Sequence, residues 1–527
     1  MTLFPRQCLA ALCGLSLSLL ARGQDLRHFR AQTAEGVVEG VVSADDQVRT
    51  FKGIPYAAPP VGPLRWKPPQ PVTPWAGVLR TVDYGPRPMQ GRIYGDMVFH
   101  DAGPSEDCLY LNLWRPEHAA GKLPVMVWIF GGGFAAGSTS EPRQDGGNLC
   151  KKGVLVVSLN YRLGVFGFLA LPELSRESTY SGSGDYGLMD QVAGLAWVKR
   201  NIAAFGGDPD NVTIFGESAG SFSVSALVSS PLARGLFHRA IGESGAFFAD
   251  HGRLLTLAEA EASGQSFAAE VGKPTLAALR AASAEELIAA AVKHPVEKFW
   301  PDVDGHYLDR DCVAVTAASQ QAHVDLLAGS NRDEQGFAKY FKGAAPTLAN
   351  YVAIAQARFG ARAAEFLQAY AATTDAEARR AAQDFQGDQF IAYGTWHWLE
   401  GHRATSGRPT YRYEFDLPLP LPADAKPGTE ATASHSWEIE YVFRVLSSKH
   451  LPWRPEDRAL SEQMSSYWTN FAKAGDPNGP GLPFWPVYQS GAGNPVMHLS
   501  AASGAEPDRR RARDAFIASL PSQPQAL

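Results

Sequence analysis

Cysteine is scarce in this chain: there are five in 527 residues, and two of them, Cys8 and Cys13, fall within the first 23. The other three, Cys108, Cys150 and Cys312, are an odd set, so they cannot close into a disulfide framework. Their spacing also contains no Cys-x-x-Cys zinc or redox motif, and each reads as a buried structural thiol. Charge of one sign is equally lacking. The net charge of -6 is dispersed without a basic stripe or an acidic tail, which argues against a nucleic-acid partner. No His-Glu-x-x-His occurs, and His397 and His402 lie five apart, off a shared helical face, so no metal is expected.

Long apolar runs are missing as well, apart from Cys8 to Leu20. That run is shorter than the ~20 residues a bilayer span requires. It comes after Arg6 and precedes Ala21-Arg22-Gly23, the order of a basic start, an apolar stretch and a small-residue cleavage site. Residues 1–23 therefore read as a signal peptide cut before Gln24, with an uncleaved anchor as the alternative, and the protein as exported, periplasmic or secreted. The whole chain is 45% hydrophobic and 19% charged, an ordinary globular composition. Length by itself suggests two or three domains, but large α/β enzymes run as one sheet with insertions, and residues 24–527 are read as a single domain.

Apolar runs bounded by turn residues alternate with helical patterns, the arrangement of an α/β fold with a mostly parallel sheet and flanking helices. Leu123 to Phe130 (LPVMVWIF) and Gly153 to Leu159 (GVLVVSL) are continuous runs suited to strands buried on both faces. Asn211 to Phe215, Asp325 to Gly329 and Tyr411 to Phe415 read alike, and Leu188 to Ile202 reads as a helix. Residues 254–292 and 344–382 carry helical spacing and are expected as helical insertions. The Pro- and Gly-dense stretches 53–77 and 475–486 are expected as ordered loops packed by Trp66, Trp75, Phe484 and Trp485.

Gly216-Glu217-Ser218-Ala219-Gly220 comes directly after the NVTIF strand and opens a helical pattern. Strand, sharp turn and helix are the context in which a Gly-x-Ser-x-Gly becomes a nucleophile elbow, with Ser218 at the turn. A bare pentapeptide of this kind is a weak signal. Phe130-Gly131-Gly132-Gly133-Phe134 ends another strand with three glycines, which free the main chain to present N–H groups to an oxygen gaining charge. Gly132 and Gly133 are assigned as two such donors and the N–H of Ala219 as the third. The loop lacks the Lys-Ser/Thr ending of a phosphate-binding loop and the spacing of a dinucleotide fingerprint, so no cofactor is expected.

Together these and other stretches resemble the type B carboxylesterases, the carboxylesterase and cholinesterase family with its bacterial para-nitrobenzyl-esterase-like members. FKGIPYAAPPVGPLRWKPPQP from Phe51, SEDCLYLN from Ser105, IFGGGF from Ile129, NYRLG from Asn160, YGLMDQ from Tyr186 and WVKRNIAAFGGDPDNVTIFGESAG from Trp197 carry the resemblance, which extends from about Gly36 to Tyr488. It implies an α/β-hydrolase fold and a carboxylic ester hydrolase acting on a small-molecule ester. It also implies a serine, a glutamate and a histidine in that chain order. Ser330-Asn331-Arg332-Asp333-Glu334 resembles the acid motif and makes Glu334 the acid, with Asp333 as its rival. Ser434-His435-Ser436-Trp437-Glu438 resembles the histidine motif and makes His435 the general base. Ser244 resembles a family serine that supports the acid, and Glu438 reads as a further supporting group.

Departures from the family pattern also carry expectations. Pro88 stands where many relatives have a cysteine, leaving Cys108 without a partner, and Phe130 replaces the usual His or Tyr before the glycines. Gln335-Gly336 stands after Glu334 where glycine commonly comes next. No tryptophan lies between Trp75 and Trp114, so the cation-π platform a choline ester needs is missing from that stretch. The rival readings are a hydrolase of a thioester, lactone or amide, and a non-catalytic interaction protein of the same fold. A base of unperturbed pKa predicts activity falling as pH drops through ~6.5.

Overall fold

A computed structural model describes residues 27–42, 47–250, 252–426, 428–489 and 493–521. The leader assigned to residues 1–23 lies outside the described residues. Thirteen strands form one sheet: β1 (Arg27–Gln32), β2 (Val37–Val42), β3 (Val48–Pro55), β4 (Val78–Arg80), β5 (Tyr110–Pro116), β6 (Leu123–Ile129), β7 (Leu155–Leu159), β8 (Gly207–Glu217), β9 (Arg239–Glu243), β10 (Asp325–Asn331), β11 (Thr410–Phe415), β12 (Pro495–Leu499) and β13 (Gly504–Pro507). Their spatial order is β1-β2-β3-β5-β7-β6-β8-β9-β10-β11-β12-β13, with β4 added beside β2. From β7 to β12 every pairing is parallel, and antiparallel strands close both ends. This is the mostly parallel α/β sheet expected from the alternation of apolar runs and helical patterns, and the α/β-hydrolase architecture that the family resemblance implies.

The central strands are buried over most of their length, β7 and β10 completely, because helices cover both faces, so they need no polar alternation. Val125, Val127, Ile129, Val156, Ile214 and Leu327 are all fully buried. The helix Tyr186–Asn201 begins two residues before the expected Leu188 and passes into a 3₁₀ turn at Ile202. The insertion at 254–292 forms helices Leu257–Glu270, Leu276–Ala281 and Ala284–Ala291, each opened by a threonine or serine cap. The second insertion forms Leu348–Phe359, Ala363–Ala369 and Asp375–Gly387.

The two loop stretches are ordered, with Trp66 and Trp485 buried, but Phe484 is a correction: it is 73% exposed and packs little. Its neighbour Trp485 fills the space against Tyr467 and Trp468. Cys108, Cys150 and Cys312 are buried and none of them forms a disulfide.

Candidate active site

Three chain reversals at the carboxyl ends of parallel strands bring the candidate groups together. β8 ends at Glu217, and the next residue, Ser218, takes φ 54° and ψ -123° before the helix Ala219–Ser229 begins. A non-glycine residue in that region is strained, and here the strain lifts the hydroxyl out of the strand-helix corner. The two flanking glycines are required by contact. A Cβ on Gly220 would stand 2.0 Å from the Ile129 carbonyl oxygen, and one on Gly216 would stand 2.6 Å from the same atom.

β10 delivers Glu334, and the loop after β11 delivers His435. His435 Nε2 lies 2.9 Å from Ser218 Oγ, and its Nδ1 lies 2.7 Å from Glu334 Oε2. The other carboxylate oxygen of Glu334 accepts from Ser244 Oγ and from the Asn331 N–H, both at 2.6 Å. Ser244 sits at φ 55°, a second left-handed residue at the site. Glu438 accepts from Asn331 Nδ2 at 2.6 Å and from Ser244 Oγ at 3.5 Å. Asp333 faces elsewhere: it accepts from the Ala433 N–H at 2.9 Å and pairs with Arg380, so it ties the histidine loop to the acid loop.

The glycine turn abuts the nucleophile, since a Cβ on Gly131 would stand 2.9 Å from Ser218 Cβ. Gly132 and Gly133 take φ 112° and 62°, which a side chain would oppose. Among the described residues, none accepts a hydrogen bond from the N–H of Gly132, Gly133 or Ala219. Phe130 stacks on Tyr161 with ring centroids 4.6 Å apart, forming wall rather than cradle.

The imidazole is surrounded by carboxylates. Glu217 Oε1 is 3.3 Å from His435 Nε2, on the side opposite Glu334. Burial by itself lowers the histidine pKa, but Glu217 and then Glu334 outweigh it and raise it to about 9. A raised imidazole pKa shifts the acid limb expected near ~6.5 towards higher pH. Burial pushes Glu217 up as well, partly offset by the imidazole. It does the same to Glu438, reinforced by Glu334.

Three groups at the site were not singled out from the sequence. Glu217 and Asn331 lie inside the quoted motifs and could have been flagged as acid and amide beside reacting groups. Arg143 carried no signal. From the 3₁₀ turn Pro142–Gln144 it donates to the Ser436 carbonyl and pairs with Glu440 at 3.0 Å, anchoring the turn after His435. Phe390 sets its ring edge against His435, centroids 5.3 Å apart, from the π-helical turn Asp388–Ala392. Phe390 also lines a cavity of about 2120 Å³ whose walls include Phe247, Gln335 and Tyr393 together with Arg358 and Phe359 of the second insertion. His397 and His402 bond to the carbonyls of Phe248 and Val324 and do not meet.

The sequence pattern of the Carboxylesterase family matches residues 28–516. A protein named fumonisin B1 esterase from Sphingopyxis macrogoltabida is 37% identical over 90% of this chain and 87% of its own length. A liver carboxylesterase from Sus scrofa is 35% identical over 92% and 91%. Among solved structures, a PNB esterase superposes with a TM-score of 0.78 at 32% identity, covering 93% of this chain and 99% of its own. A carboxylesterase from Geobacillus stearothermophilus does so at the same TM-score with 34% identity, again over 93% and 99%.

Proposed function

The chain belongs to the carboxylesterase family and is a serine ester hydrolase by that membership; from this premise we propose that it works through an acyl-enzyme on Ser218, with His435 as general base and Glu334 as its partner. The observation that carries the reading is the continuous hydrogen-bonded line from Ser218 Oγ through the imidazole to Glu334, 2.9 and 2.7 Å. His435 Nε2 takes the hydroxyl proton as Oγ attacks the acyl carbon, while Glu334 holds Nδ1–H and stabilises the imidazolium that forms. The oxygen that gains charge meets the free N–H groups of Gly132, Gly133 and Ala219, donors already fixed before the reaction begins. Collapse expels the alcohol with the proton from Nε2. Water then enters by the same base, and the acid leaves.

Ser244, Asn331 and Glu438 support this role for Glu334 by filling its second oxygen and bracing its neighbours. We further propose that residues 1–23 are an export leader and that the rest works as one catalytic unit on small-molecule esters. No helix among the described residues is long and apolar enough to cross a membrane. A fluorophosphonate probe tests the nucleophile: one equivalent is expected to label Ser218 and none the Ser218→Ala protein. Labelling that persists in the variant, together with ester turnover, overturns the assignment.

A further inference from the structure

The loop before the glycine turn leans over it. Met97 Cε would stand 3.1 Å from a Cβ on Gly132, and the Tyr94 hydroxyl 3.0 Å from a Cβ on Gly133. Gly133 is only half-buried, and Tyr94 is 37% exposed, so the glycine turn beside the phenol is open to solvent. Among the described residues, none shares a hydrogen bond with that hydroxyl, and Val296 fills the remaining side of the gap, 3.5 Å from the same Cβ position. Burial, then Glu297 and Glu217, hold the phenol in its protonated form, so it stays a donor.

A tetrahedral oxyanion has room for about three donors, and the N–H groups of Gly132, Gly133 and Ala219 account for three. A further donor set to one side of that cradle is left to meet the next oxygen of the substrate. We infer that Tyr94 is a specificity-determining residue, whose hydroxyl hydrogen-bonds an acceptor oxygen one or two bonds from the scissile carbonyl. Esters that carry an alkoxy or keto oxygen there are then preferred over hydrocarbon esters of the same length. This rests on the serine-esterase reading above.

The two are separated with Tyr94→Phe, which keeps the ring, and two p-nitrophenyl esters of equal length, methoxyacetate and butyrate. Rates are normalised to the fraction of Ser218 that reacts with a fluorophosphonate, which discounts misfolded protein. The expected result is a kcat/KM for the methoxyacetate about 10-fold lower in the variant, with the butyrate changed by less than about twofold. The ratio between the esters is a readout that a merely structural tyrosine would not move. An unchanged ratio, including an equal loss on both esters, overturns the role of Tyr94 and leaves the esterase reading standing. A wild-type protein inert towards both overturns the esterase reading itself.

Discussion

The sheet and the second helical insertion bury their apolar surface in different ways. The sheet core is a broad layer of aliphatic and aromatic groups in which Phe215 of the nucleophile strand meets Trp128 of β6 and Phe443. The insertion packs in a separate cluster centred on Phe366, with Tyr351, Phe359, Tyr370 and Phe385, joined by Tyr340 from the turn before it and by Phe516 of the C-terminal helix Arg511–Ala518. Its rings meet mainly each other, at 4.6 Å for Phe359 and Phe366 and 5.0 Å for Phe366 and Phe385. The candidate nucleophile, acid and base all stand at the carboxyl edge of the sheet, and the π-helical turn that follows the insertion reaches His435 through Phe390. Position and shape are thus divided: the candidate reacting groups stand on the sheet, and the insertion lines part of the cavity beside them.

That division can be broken by experiment. The largest effect is expected at the sheet edge, where Ser218→Ala should lower kcat by on the order of 10⁶ while the thermal midpoint stays within a few degrees; measurable turnover near the native rate would dissolve the contrast. In the insertion, Phe366→Ala should lower stability by about 3–5 kcal/mol, read by denaturant unfolding, with turnover of a short ester kept within a few fold. A collapse of short-ester activity in folded Phe366→Ala protein would mean that the two regions are not separable.

A subtler change is expected from Glu217→Gln. Only neutral imidazole can accept the serine proton, so a raised pKa places the acid limb of the rate profile above ~6.5. Removing Glu217, the carboxylate that raises His435 most, should move that limb to lower pH, as read from kcat/KM against pH. An unmoved limb would assign the control to Glu334. The smallest effect belongs to Phe484→Ser, outside both cores, expected to alter stability by less than about 0.5 kcal/mol.

Much of the fold was legible because buried parallel strands write themselves as unbroken apolar runs: LPVMVWIF and NVTIF became β6 and part of β8. β9 was missed because Arg239 and Gly242 interrupt its five residues, although all but Arg239 are buried. β1 to β3 and β13, at the two ends of the strand order, were missed for the opposite reason: half-buried or exposed polar positions interrupt their apolar residues. The Ser218 elbow could be read from residues alone, since the glycines it needs are local. Glu334 and His435 could not, because nothing near either residue says what it faces across a gap closed only by folding, and the family resemblance had to point to them. The contact between Glu217 and the imidazole illustrates the same limit: the residue adjoins Ser218 in sequence, yet its effect is exerted on a group from a distant loop.

The three sealed thiols give the molecule a practical property. Burial pushes Cys108 and Cys150 upward and Cys312 up to about 12, so in the native state they offer neither access nor thiolate to an alkylating reagent. In protein lacking residues 1–23, and with them Cys8 and Cys13, alkylation by iodoacetamide should therefore count only opened molecules, and its rate under native conditions becomes a clock for breathing of the interior, readable without substrate and without touching the hydrolytic centre.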